Sequence, residues 1–218
     1  MPVIAVAGLK GGVGKSTIAV ALAVELHARG RTVLLGDSDP QRSALTWAAQ
    51  AAELEVGAPT TVALHSGFHR PGQLPGGYDW TVVDTAPQDG KGLRSALMVA
   101  DLVVFPVLAG PFDAWRLADG AEQLEEAQTV RRELAGLVVL NRMARSTLAA
   151  SARDAVAELG IPVAKTTLGN RVAFAEALAA GMGPTTYAPT SPAADEVRAL
   201  VDEVRALTSK RGRKLHAV

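Results

Sequence analysis

The 218-residue chain contains no cysteine. That excludes disulfides, thiolate-held iron–sulfur clusters and thiolate catalysis, and it is compatible with a reducing cytosol. Aromatic residues are scarce, at 4%, so a core must be built from Ala, Val and Leu. With 48% apolar residues, the length suits one α/β domain with a sizeable core, or at most two small ones. Net charge is also absent: 22 Lys and Arg balance 22 Asp and Glu. Bulk charge therefore does not announce a nucleic-acid binder, and any such activity needs a local patch. No run approaches the roughly 18 apolar residues of a spanning helix. The apolar stretch at residues 3–7 lacks the basic flank and the length of a signal peptide. The chain is expected to be soluble and cytoplasmic. His27, His65, His69 and His216 show no metal-ligand spacing and are expected to be structural or solvated.

What is present is an alternation of short β-branched runs with longer Ala- and Leu-rich stretches of helical period. Strands are expected at residues 3–7, 32–35, 61–64, 80–83, 102–107, 137–140 and 163–167. Helices are expected at 17–29, closed by Gly30, and at 43–54, 93–100, 114–134, 148–159, 171–180 and 193–207. Strand–helix alternation with apolar strands implies an α/β fold, a mostly parallel sheet flanked by helices on both faces. Residues 66–77, rich in Gly and Pro, read as a surface loop. Residues 1–208 are expected to form one domain. Residues 209–218, with Lys210, Arg211, Arg213 and Lys214, form a basic tail.

The most specific signal lies between the first strand and the first helix: Gly8-Leu9-Lys10-Gly11-Gly12-Val13-Gly14-Lys15-Ser16-Thr17. Glycines let backbone N–H groups converge on phosphate oxygens, and a helix N-terminus adds partial positive charge. In such a phosphate-binding loop Lys15 reaches the outer phosphates of ATP, the Ser16 hydroxyl can ligate Mg²⁺, and Thr17 lies near the α-phosphate. The usual G-x-x-x-x-G-K-[ST] pattern fails because Leu9 occupies its first position. What matches is the variant K-G-G-x-G-K-[ST], with an additional lysine, Lys10. Three carboxylates follow two other strands: Asp37 and Asp39 in Asp37-Ser38-Asp39-Pro40-Gln41, and Asp84 in Asp84-Thr85-Ala86-Pro87. Ligands of parallel sheets gather at the carboxyl ends of strands, and buried charges need partners. Asp84 fits the role of holding Mg²⁺ through water, Asp37 the same water shell, and Asp39 the orientation of the attacking water. The alternative is that these aspartates cap the following helices.

These residues resemble the ParA/MinD superfamily of deviant Walker ATPases, and within it the small ParA-type (ParF-like) partition ATPases. The resemblance runs from residue 3 to about 207. Beyond the loop and the carboxylate segments it is carried by Ser43-Ala44-Leu45-Thr46-Trp47, by Ala100-Asp101-Leu102-Val103-Val104-Phe105-Pro106-Val107 and by Gly169-Asn170-Arg171-Val172-Ala173-Phe174-Ala175-Glu176-Ala177. It implies that Lys10 reaches into a partner subunit's nucleotide site, so that ATP joins two subunits face to face, and that Asp39 promotes hydrolysis. It further implies that Asn141, at a strand end before Arg142-Met143, contacts adenine; a strand-end Asn equally caps a turn. Ala86 departs from the Pro of many relatives. With no helix-turn-helix segment before the loop, operator binding is not expected.

The function this resemblance implies is ATP hydrolysis coupled to dimerisation, nonspecific binding of duplex DNA and association with the nucleoid. A ParB-like or other cargo adaptor would stimulate hydrolysis, and the cargo would be a plasmid, a chromosome or a protein cluster. Arg142, Arg145, Arg153 and Arg171, with the basic tail, are the candidate phosphate contacts, against the plainer reading of solvated charges. A membrane-cycling regulator of the MinD kind is the second reading. The closing helix has a core-packing stripe, however, and the tail offers only Leu215 and Val218 as sizeable apolar groups, so membrane binding is not expected. The absence of Cys removes an electron carrier of the nitrogenase-iron-protein kind. A small-molecule kinase or synthetase lacks any visible substrate motif. Trp115 and Leu117 read as core or dimer packing.

Overall fold

The structure, a computed structural model, describes residues 1–65, 67–87, 91–108, 110–144 and 153–215; for residues 111–116 and 210–215 it describes the backbone alone. Arg145, His216 and the first part of the helix expected at 148–159 lie outside the described residues, as do the side chains of Trp115 and of the basic tail.

The chain runs β1 (Val3–Val6), α1 (Lys15–Ala28), β2 (Val33–Asp37), α2 (Ser43–Glu53), β3 (Thr60–Ala63), β4 (Trp80–Asp84), α3 (Lys91–Val99), β5 (Leu102–Val107), α4 (Pro111–Val130), β6 (Ala135–Leu140), α5 (Val172–Ala179), the single turn α6 (Pro184–Tyr187) and α7 (Pro192–Leu215). The strands form one sheet in the order β3-β2-β4-β1-β5-β6, every neighbouring pair parallel. The expected fold class is borne out.

Strand periodicity divides the core into two faces. Ile4 and Val6 of β1, Leu102 and Val104 of β5, and Leu137 and Val139 of β6 face α1, α2, α5 and α7. Val3, Ala5, Val103, Phe105, Val138 and Leu140 face α3 and α4. Helix α1 is buried from Ile18 to Leu26 almost without interruption. It lies against β1, β2, β4 and β5 on one side and α2, α6 and α7 on the other. A helix covered all round needs no polar stripe, which accounts for its Ala- and Val-rich sequence. Its one buried acid, Glu25, accepts from Arg29 Nε at 2.6 Å, and Arg29 also pairs with Asp202 of α7. The end of α1 is thereby tied to the closing helix.

The expected strand at 163–167 is not formed; only an isolated parallel bridge, Val138 to Val163, remains. The backbone N–H groups of Lys165 and Thr166 donate to the Glu203 carboxylate of α7, at 2.8 and 2.7 Å, so they are withdrawn from a ladder. Helix α7 runs to Leu215, beyond the expected end at 207, so the backbone of the basic segment continues the helix. The α6 turn was not expected.

Gly181 shows how closely α2 approaches the loop before α6. Its φ is +66°, and a Cβ there would stand 2.6 Å from the Ala51 Cα. The adjoining contact, Trp47 Nε1 donating to the Met182 carbonyl at 3.1 Å, fixes the same seam. Gly181→Ala should destabilise the fold by about 2–4 kcal/mol, combining a left-handed backbone cost with a clash against backbone. Gly72→Ala has similar φ but open space around it, and should cost only about 1 kcal/mol. Urea denaturation of both variants checks the contrast.

Candidate functional site

Register brings the carboxylates together. Asp84 pairs with Val6 on one side and with Asp37 on the other, so the ends of β1, β4 and β2 stand level. Two hydroxyls hold them there. Ser38 donates through its N–H and its Oγ to the Asp84 carbonyl, at 2.9 and 3.0 Å. Thr85 does the same to the Val6 carbonyl, at 3.2 and 3.1 Å. The glycine-rich loop leaves β1 at this edge and enters α1 at Lys15, two residues earlier than expected.

Lys15 folds back, its Nζ donating to the Lys10 carbonyl at 2.9 Å, and is buried. Burial lowers its pKa, against the opposing pull of Asp84 and Asp39. Asp84 is fully buried and neither carboxylate oxygen has a hydrogen-bond partner. Its pKa is pushed up to about 7 by burial; the Ser16 hydroxyl beside it favours the anion without completing a bond of good geometry. The charges of Asp37 and Asp39 add to the rise, and that of Lys15 opposes it. Such an orphaned carboxylate next to a lysine and a serine hydroxyl fits a hydrated cation. Among the described residues no three acidic or imidazole side chains converge as a metal cage. Mg²⁺ does not require one, since it is held by one or two protein groups, water and substrate phosphates.

The other two aspartates are engaged. Asp37 accepts from the Leu45 N–H at the start of α2 and from the Asp39 N–H, both at 3.0 Å. Burial nevertheless raises its pKa, against the hydrogen bonds from Leu45, Asp39 and Ala44. In the structure it therefore caps α2 and fixes the turn carrying Asp39. Asp39 in turn accepts from the Gln41 N–H at 2.9 Å. Asn141, at the end of β6, braces the loop: Nδ2 donates to the Val13 carbonyl at 2.7 Å, and Oδ1 accepts from the Arg142 N–H at 2.9 Å. A Cβ on Gly14, whose φ is +93°, would lie 2.3 Å from Asn141 Nδ2. Only glycine leaves room for this brace.

A cleft of about 820 Å³ opens over the loop. Gly11, Gly12, Gly14, Lys15, Ser16, Thr17 and Asp39 line it. Val13 is buried beneath. A smaller cleft of about 220 Å³, bordered by Thr17, Asn141, Arg142, Asn170 and Phe174, adjoins it through Thr17. Gln41, Thr46, Trp47 and Gln50 also line the larger cleft without having been singled out. Gln41, Thr46 and Trp47 lie in the stretches after Asp37 that carry the family resemblance, which was the only signal for them. Two of the candidate DNA contacts are used internally: Arg153 donates to the Ala164 and Lys165 carbonyls and to Thr167. Arg171 pairs with Glu196 through Nε and an Nη, at 3.0 and 2.6 Å. Arg142 borders the clefts. Among the described residues no helix is long and apolar enough to cross a membrane.

Residues 4–185 match the CobQ/CobB/MinD/ParA nucleotide binding domain. The chain is 32% identical over 211 residues to Maintenance of carboxysome distribution protein A of Halothiobacillus neapolitanus, covering 92% of this chain and 95% of that protein. It is 33% identical over 236 residues to the chromosome-partitioning ATPase Soj of Thermus thermophilus, covering 93% and 95%. Its fold superposes on the septum site-determining protein MinD of Pyrococcus horikoshii, solved with Mg-ADP. The TM-score is 0.74 at 21% identity, over 96% of this chain and 98% of that one.

The unpartnered Asp84 carries a testable cost. Its raised pKa means that the folded state holds a proton which the unfolded state releases. Stability therefore falls as pH rises from about 4 to about 7 and is level above that. The full displacement amounts to roughly 4 kcal/mol. An asparagine carries no charge but leaves its own hydrogen bonds unmade. Asp84→Asn should therefore stabilise the nucleotide-free protein by about 2 kcal/mol at pH 8. Near pH 4, where Asp84 is protonated in both states, the same unmade hydrogen bonds should turn the gain into a loss of about 2 kcal/mol. Urea titrations at the two pH values, without divalent cations, check it; a gain independent of pH would contradict it.

Proposed function

The chain belongs to the CobQ/CobB/MinD/ParA nucleotide-binding family, and from that premise we propose that it is a ParA-type ATPase that positions an intracellular cargo. The observation that carries this reading is the buried, unpartnered Asp84 carboxylate set beside Lys15 and Ser16 at the mouth of the glycine-rich loop. The ParA/MinD members of this family are P-loop ATPases, and relatives covering nearly the whole chain are named for carboxysome distribution and chromosome partitioning.

In this proposal the backbone of Gly11, Gly12, Val13 and Gly14, with Lys15 and Thr17, holds the phosphates of ATP. Ser16 and Asp84 hold Mg²⁺, which when bound neutralises phosphate charge. Asp37 contributes to its water shell through lone pairs not taken by the backbone, and keeps Asp39 in place. Asp39 orients the attacking water. The second cleft takes the base, with Asn141 shaping its wall. Lys10 completes the site of a second subunit, so that ATP favours a homodimer. The dimer binds duplex DNA without sequence preference, through Arg142, Arg145 and the tail from Lys210 to Lys214 rather than through Arg153 and Arg171. An adaptor of the ParB kind, itself tied to the cargo, stimulates hydrolysis and release, and the protein works in the cytoplasm on the nucleoid.

Two variants separate binding from chemistry. Lys15→Ala removes the charge that balances the outer phosphates and should abolish ATP binding in calorimetry. Asp39→Ala should retain ATP binding while hydrolysing it at least roughly a hundredfold more slowly, and should accumulate as dimer in light scattering. Wild-type turnover in Asp39→Ala would reduce Asp39 to its turn-forming role.

The DNA arm is tested by mobility shifts on unrelated duplexes at several salt concentrations with ATP, a nonhydrolysable analogue or ADP. Binding is expected with ATP alone or the analogue, falling steeply with salt; neutralising Lys210, Arg211, Arg213 and Lys214 should weaken it and flatten the salt dependence. Equal binding in every nucleotide state rejects the switch. ATP-dependent sedimentation with lipid vesicles and no DNA binding would favour the membrane-cycling alternative.

A further inference from the structure

On the face opposite α1, a second pocket of about 540 Å³ lies between the loop after β3 and the first turns of α3. It shares no lining residue with the cleft over the glycine-rich loop. His65, His69 and Arg70 come from the loop, Lys91 and Arg94 from α3. Gln73 and Ser95 add neutral polar groups, and among the described residues no Asp or Glu lines it.

The pocket is built rather than incidental. Phe68, 1% exposed, anchors the loop in the core with Leu64 and Leu74. Successive turns wind the backbone around it: the N–H of Phe68 donates to His65, that of Arg70 to Gly67, and that of Gln73 to Arg70. Loop and helix are then joined by a hydrogen bond of 2.8 Å between His69 Nδ1 and the buried Ser95 hydroxyl. Lys91, Arg94 and Ser95, three and four residues apart on α3, share one helix face. Among the described residues neither the Arg70 nor the Arg94 guanidinium pairs with a carboxylate. Like charges held around one concavity repel unless an anion joins them. Guanidinium groups match the oxygens of phosphate in pairs.

We propose that this pocket is a second anion site, separate from the nucleotide cleft, and that it takes a small multivalent phosphate. Arg70 and Arg94 supply the paired donors, and the His69–Ser95 bond holds the two walls at a fixed separation. The proposal does not depend on ATP binding at the glycine-rich loop.

The test uses the full-length protein and inorganic pyrophosphate as probe, read by the imidazole carbon-bound proton resonances. These are assigned with His65→Gln and His69→Gln. Pyrophosphate should shift the His65 and His69 signals saturably and leave that of His27, on α1, unmoved; acetate at equal ionic strength should shift none. The exposed pair Arg70→Ala/Arg94→Ala should weaken the effect roughly tenfold or more, with an unchanged thermal midpoint. Lys15→Ala should leave the effect intact. Loss of the shift in Lys15→Ala would mean that the histidines report on the nucleotide cleft, and would overturn the assignment. So would an Arg70→Ala/Arg94→Ala variant that binds pyrophosphate normally, or one that loses affinity only for a short DNA duplex.

Discussion

The buried carboxylate of Asp84 is what the rest of the site is arranged around. A charge wholly removed from water with no hydrogen-bond partner is among the costliest groups a fold can hold. Here it stands where three strand ends are level and where nothing on β1 or β2 can satisfy it: Asp37, its neighbour across the register, is itself negative and already committed to α2. Among the described residues the one charge that favours its ionised form is Lys15, which is also buried. Lys15 turns its Nζ to the Lys10 carbonyl, so the two opposite charges attract without being joined. A site with a cation, a carboxylate and a hydroxyl, each incompletely satisfied, is poised for a ligand carrying both negative oxygens and a positive ion.

Holding that arrangement requires a rigid frame, because small displacements would let the groups relax onto each other. The frame is α1 and the strand ends. Burial on every side fixes α1 against the sheet, and Glu25, Arg29 and Asp202 secure its far end. Ser38 and Thr85 stop the strands from sliding, because each uses both its N–H and its hydroxyl on a neighbouring carbonyl. Asn141 closes the frame from β6 by gripping the loop at Val13. The oxygen of that amide is engaged by the Arg142 N–H and one donor by Val13, so what Asn141 fixes in the structure is the position of the loop.

The fold and the loop were legible in the sequence because both are written in local terms. Alternating apolar strands gave the parallel sheet, and K-G-G-x-G-K-S gave the turn and the lysine, although α1 starts two residues before the expected Thr17. Strand edges 33–37 and 80–84 each ran further than propensity suggested, because parallel pairing on both sides extends a strand through an aspartate that would otherwise end it. What could not be read were the bonds between residues distant in sequence. Glu203 capturing the Lys165 and Thr166 N–H groups erased an expected strand. Glu196 and the Ala164 carbonyl claimed Arg171 and Arg153, which looked like free cations. The capping of α2 by Asp37 depends on how the turn at Asp39 folds back.

The two halves of the molecule meet at the start of α3. A Cβ on Gly92 would lie 3.3 Å from the Thr85 Cβ and 3.4 Å from the Ala86 nitrogen, so the helix is pressed directly onto the residues that follow Asp84. Thr85 is also the residue whose hydroxyl holds the end of β1. Packing of this density transmits displacement instead of absorbing it. The same first turns of α3 carry Lys91, Arg94 and Ser95 to the basic pocket on the opposite side. Glycine at 92 therefore has a structural meaning beyond space filling: it lets one helix serve at once as the wall of a cation-rich pocket and as the backing of the strand end where the unpartnered carboxylate is held.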